Sequence, residues 1–198
     1  MQPFTTLLAF TTLLTAATAQ YVGLNTSQEF NIRTCLKPNQ PGKERFDNLW
    51  LVGHHSGAGQ SDAVFEPTRT NVTDAGYLTP ANQTTASGEA LYNQMFNLGN
   101  PFPWQLEMMY NTAPYGAWEP VRIQAGGLDK GDEAEGWVFL NSTGLQYSGS
   151  GSGFNGWLVC EWWLQMPQLF YRVGAGLYNE SAPTPSSCAD VYLMPEYI

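Results

Sequence analysis

Residues 153–173 read GFNGWLVCEWWLQMPQLFYRV, and this stretch leaves little freedom for what the rest of the chain can become. Trp157, Val159, Glu161 and Trp163 alternate with Leu158, Cys160, Trp162 and Leu164. Side chains of an extended segment point to opposite faces in turn, so both faces here are largely apolar. A strand apolar on both faces lies inside its sheet and is covered on each side. Gln165-Met166-Pro167-Gln168 interrupts the run and residues 169–173 resume it. The pattern predicts a hairpin at the heart of an all-β domain.

The same short extended pattern recurs along the chain at residues 30–36, 48–55, 62–66, 76–79, 104–110 and 117–125. Residues 90–98 fit helix or strand, and the imperfect alternation of Leu91, Asn93, Met95 and Asn97 favours strand. Residues 137–140 and 144–147 read as a hairpin turning at Asn141-Ser142-Thr143, and Val191-Tyr192-Leu193 with Tyr197-Ile198 reads as a last strand. Between these lie a polar stretch at 80–88, an acidic Gly-rich loop at 126–136, a SGSGSG connector at 148–153 and a Pro/Ser-rich loop at 179–187. Ten to twelve short strands without a convincing helix predict a single-domain antiparallel β-sandwich or closed barrel. A β-trefoil is the alternative, since Asn48-Leu49-Trp50-Leu51-Val52 echoes Asn155-Gly156-Trp157-Leu158-Val159.

Residues 1–19 contain no charged side chain, have an apolar centre from Leu7 to Leu14 and end in Ala17-Thr18-Ala19. They read as a secretory signal, which leaves residues 20–198 as one β domain outside the cell. No later segment approaches the roughly 20 apolar residues of a membrane helix. The net charge of −9, with no basic run, disfavours nucleic acid and anionic membrane surfaces as partners. Five sequons begin at Asn25, Asn71, Asn82, Asn141 and Asn179, and behind a signal sequence each marks an expected surface glycan. Of the three cysteines, Cys160 and Cys188 are the expected disulfide, which would tie the central strand to the C-terminal segment. Cys35 is then a small buried thiol.

The chemistry of the remaining residues points to binding more than to catalysis. His54 and His55 are adjacent, so on a strand they face opposite ways, and no second spaced histidine completes a metal set. Ser56 lacks the strand–turn–helix setting of a nucleophile, and the acidic residues of DKGDEAE do not have calcium-loop spacing. No cofactor motif is present. Glycoside hydrolysis needs two carboxylates across a sugar-sized gap, and Glu107, Glu119 and Glu161 are the candidates. Glu161 shares a face with Trp157, Val159 and Trp163, and Arg172 on the neighbouring arm is its expected partner. Seven tryptophans are the compositional oddity. Those from Trp157 to Trp163 read as core, whereas Trp104, held by Pro101 and Pro103, reads as an exposed sugar-stacking residue. Trp104, Glu161 and Arg172 are thus the candidate ligand-binding residues.

FNIRTCLKPNQPGKERFDNLWLVGHHSGAG, FNLGNPFPW, AWEPVRIQAG, GWLVCEWW, QMPQLFY and SSCADVYLMPEYI together resemble an uncharacterised family of small secreted fungal proteins, a domain of unknown function. The resemblance covers nearly all of the chain after the leader. It implies a fungal extracellular setting and no particular mechanism. The expected function is a secreted, non-enzymatic binding module for an extracellular glycan or protein. A carboxylate-dependent glycan hydrolase and a structural wall protein are the alternatives.

Overall fold

The computed structural model describes residues 28–69, 75–98, 104–109, 117–125, 137–148, 153–162, 165–173 and 183–198. They form twelve strands and one 3-10 turn, Glu44–Phe46, with no α-helix among the described residues. The strands are β1 (Phe30–Leu36), β2 (Trp50–Gly57), β3 (Gln60–Glu66), β4 (Gly76–Thr84), β5 (Ala90–Phe96), β6 (Trp104–Met108), β7 (Trp118–Ala125), β8 (Trp137–Asn141), β9 (Gly144–Tyr147), β10 (Phe154–Glu161), β11 (Pro167–Val173) and β12 (Cys188–Tyr197). All pairings are antiparallel, and nine strands close into a barrel. The ring runs β1-β4-β5-β6-β7-β3-β11-β10-β12 and returns to β1. β2 bridges β1 and β3, and the β8–β9 hairpin extends from β5. A closed ring, rather than a sandwich, is how this chain protects the backbone groups an edge would expose.

Alternation assigns each side chain to the lumen or the outer wall. Ile32, Phe65, Phe96, Leu106, Ile123, Trp157, Val159, Leu169, Tyr171, Val191 and Leu193 pack together inside, so the lumen is a filled core rather than a channel. Phe46, at the end of the 3-10 turn, joins this core and is fully buried. Its carbonyl accepts a 2.7 Å hydrogen bond from the Thr34 hydroxyl, which in turn accepts one from the Leu49 amide. The β8–β9 hairpin adds Val138, Leu145 and Tyr147. The Trp157 indole N–H donates to the Leu145 carbonyl at 2.6 Å, so this fully buried side chain leaves no polar atom stranded. Gly144 takes φ of 89° where the hairpin turns, and a Cβ there would run into the Leu193 carbonyl of β12. Only glycine permits that approach.

The predicted central hairpin is present: β10 pairs with β11 on one side and β12 on the other. Its inward residues enter the main core, while Leu158, Cys160, Phe170 and Cys188, with Trp118 against them, form a second cluster on the outer wall. Residues 90–96 are strand, as the alternation favoured. The polar stretch after residue 79 departs from expectation. β4 continues to Thr84 because β5 pairs alongside it past an irregularity between Pro80 and Thr84. Trp104 also departs. It is 5% exposed, because it opens β6 opposite Phe96 and Ala125 with its ring in the core, and is no surface platform. The predicted leader lies outside the described residues, as do Asn25, Asn71 and Asn179.

Candidate functional site

The end of the β10–β11 hairpin is where sequence and packing leave an aromatic ring in solvent. Cys160, near the end of β10, stands opposite Cys188 on β12, and the two form the predicted disulfide. The Glu161 amide then donates to the Ser187 carbonyl at 2.9 Å, closing the ladder beside the bridge. Trp162 is the next residue. The Gln165 amide donates to its carbonyl at 2.9 Å, and Gln165 itself adopts φ of 55°. Off the pleat, the Trp162 side chain is 45% exposed, and its ring meets Phe170 edge-on at 5.4 Å between centroids. It therefore lies against Phe170, one member of the outer cluster that also holds Leu158 and the disulfide. Expectation had placed this tryptophan in the core with Trp157. What separates them is the end of β10 at Glu161, which leaves Trp157 inside the strand and Trp162 just beyond it.

Glu161 and Arg172 do not meet. Glu161 ends β10 opposite Pro167, the first residue of β11, whereas Arg172 lies near the far end of β11. Glu161 pairs instead with Arg45 at 3.1 Å, both half-exposed, and the Arg45 guanidinium lies 4.8 Å over the Phe46 ring. This pair latches the 3-10 turn to the rim of the barrel beside Trp162. Arg172 points outward and holds Asp190 across β10, its Nε donating at 2.9 Å, while Nη2 donates to the Thr184 hydroxyl at 2.6 Å. Thr184 donates to the other Asp190 oxygen. Burial pushes the Asp190 carboxyl upward, but the hydrogen bonds from Arg172 and Thr184 and the charges of Arg172 and Lys37 outweigh it and hold the group below the ordinary carboxylate range. Gln40 brackets the Asp190 backbone with two 2.7 Å hydrogen bonds. Arg172 is thus committed to fixing β11 against β12.

The three candidate carboxylates lie apart. Glu119 faces inward opposite Tyr171 and is 4% exposed, Glu107 is on the outer wall opposite Arg122, and Glu161 is at the rim. The register also shows what spacing could not, an outer row of His54, Asp62, Arg122 and Glu107 in line across four strands. Asp62 and Arg122 approach to 3.7 Å within it. His54 and His55 face opposite ways on β2, yet both are exposed, where one of the two faces would be expected to pack. Cys35 is exposed too, not buried, because alternation turns it outward with Arg33. Among the described residues no group of three or more His, Cys, Asp or Glu is placed to hold a metal ion. No helix of the described residues is long and apolar enough to cross a membrane.

Of the five sequon asparagines, Asn82 is exposed on the irregular end of β4 and Asn141 ends β8 at a tight turn. The Asn141 side-chain oxygen accepts hydrogen bonds from the Thr143 amide at 2.8 Å and hydroxyl at 2.7 Å. No curated protein and no solved structure matches the chain. A family model does match it, over residues 27–197, which spans the whole barrel from before β1 to the end of β12. The chain belongs to the family described as a domain of unknown function, DUF7907.

Proposed function

We propose that the protein is a secreted fungal binding module, non-enzymatic, whose ligand is an extracellular glycan stacked on Trp162. The observation that carries this reading is a half-exposed indole at the end of a disulfide-anchored hairpin. The C–H face of a sugar ring is apolar and slightly positive, complementary to the negative face of an indole. An aromatic ring left in solvent on a rigid support marks a binding surface. Glu161, one residue upstream, and its partner Arg45 supply an acceptor and a donor at the rim for the hydroxyls around the ring. The disulfide fits an oxidising compartment, as does the leader sequence. The sequons at Asn82 and Asn141, both on turns or strand ends, suit glycosylation during export.

The test is retention of the glycosylated protein on chitin, β-glucan, cellulose and mannan, with released sugar assayed in the same tubes. Trp162→Ala is expected to weaken retention by about fivefold to tenfold, the equivalent of ~1 kcal/mol for one stacking ring. Release of sugar that disappears in Glu161→Gln would replace this reading with a hydrolase. Retention unchanged by Trp162→Ala would remove the proposed site.

A further inference from the structure

Gln168 lies two residues before Phe170 on the outward face of β11, opposite Cys160 on β10 and Val64 on β3. It is 5% exposed, and its side-chain oxygen is buried with no hydrogen-bond partner. A buried amide oxygen among a valine, a phenylalanine and a disulfide is costly to leave unmade, so an orphan acceptor of this kind asks for an explanation. Its position supplies one, because it stands on the same outer face as Phe170, the ring that Trp162 meets, and opposite Cys160 of the outer cluster.

We infer that Gln168 is the specificity residue of the Trp162 site, and that the group it accepts a hydrogen bond from is the N–H of an acetamido substituent, so that the ligand is an N-acetylated sugar polymer. This rests on the reading of Trp162 as a sugar platform. A glycan offers two kinds of donor, a hydroxyl and an acetamido N–H. A hydroxyl seated against Val64 and Phe170 would carry its own two lone pairs out of water. The acetamido N–H brings only a donor. Its methyl group matches the apolar wall, and its carbonyl, on the opposite edge of the amide, stays in water. Phe170 and the disulfide are held in the ladder, whereas Trp162 lies beyond the last strand pair, so Trp162 is the side chain that swings to admit the group.

The test titrates the full-length secreted protein with the tetramer of N-acetylglucosamine and with the tetramer of glucose, by calorimetry and by nitrogen-15 correlation spectra that follow the Gln168 side-chain NH2. The N-acetylated tetramer is expected to bind about tenfold more tightly or better, and to shift the Gln168 signals, because a site built around a polar partner rejects ligands that lack it. Gln168→Met, close in volume, is expected to bring the two affinities together while the backbone spectrum stays folded, and Trp162→Ala to weaken both. Equal affinity in the unmodified protein, or a preference that survives Gln168→Met, would overturn the acetamido assignment and leave the glycan reading standing. Binding of neither tetramer would overturn the acetamido assignment, and loss of retention on all four polymers as well would overturn the glycan reading.

Discussion

Asp190 shows how one residue can serve the fold and record pH at once. Its carboxyl is held below the ordinary range by Arg172 and Thr184 despite partial burial. A carboxyl depressed in the folded state contributes stability above its unfolded pKa of about 3.9 and loses it as pH falls through the lower folded value. Asp190→Asn is therefore expected to cost ~1–3 kcal/mol at pH 7, the usual worth of charge-assisted hydrogen bonds, in urea unfolding. The gap from the parent should narrow in the same experiment below about pH 4, and an undiminished gap at pH 3 would assign the loss to packing instead. Little of this was legible in the sequence. Arg172 was singled out there, but for Glu161, because both stand in aromatic strands near one turn. Counting outward from the Glu161–Pro167 pair places Arg172 well along the arm, and that count needs the register, which the pattern alone leaves loose by a few residues. Trp104 and Trp162 exchanged roles for a related reason. Prolines before Trp104 suggested a loop, yet the ring enters the core as soon as β6 begins.

At the scale of elements, the β10–β11 hairpin was legible because alternation with both faces apolar has few other solutions. What alternation cannot give is which strand lies on each side. The disulfide supplies part of that answer, since Cys160 and Cys188 stand opposite each other in the ladder. The bridge closes a loop with a sequence separation of 28, for which the loop-entropy relation gives about 3–4 kcal/mol. The variant with both Cys160→Ala and Cys188→Ala should keep its strands by circular dichroism and melt about 10 °C lower, following the usual conversion for a domain of this size. An unchanged melting temperature would mean that β12 is held as firmly by its ladders with β1 and β10 alone. Because Trp162 follows the bridge by two residues, the same variant should also loosen the platform and weaken retention on glycan.

At the scale of the whole molecule, the fold class could be read from the number and length of the strands, but ring closure could not. Closure depends on β1 meeting β12 over seven paired positions, Phe30 with Tyr197 through Leu36 with Val191, and no local pattern reports a contact across that much chain. Pairings so distant must pay loop closure before they gain contacts, so refolding is expected on the millisecond-to-second scale. Removing residues 188–198 takes away the partner of both β1 and β10. That variant should lose its cooperative transition in near-ultraviolet circular dichroism, and a surviving transition would show that the remaining strands close without β12. The meeting of the two ends carries another consequence. The Ile198 amide donates to the Glu29 carbonyl at 3.1 Å, so the point where the described chain begins and the point where it stops are already neighbours. A short linker from Ile198 to Gln28, with new ends cut at the exposed Ser87–Gly88 turn between β4 and β5, yields a circular permutant that keeps every rung of the barrel. Such a permutant should fold to the same spectrum with Trp162 still in place. For this protein, chain order is then a matter of how the ring is threaded rather than of what the ring is.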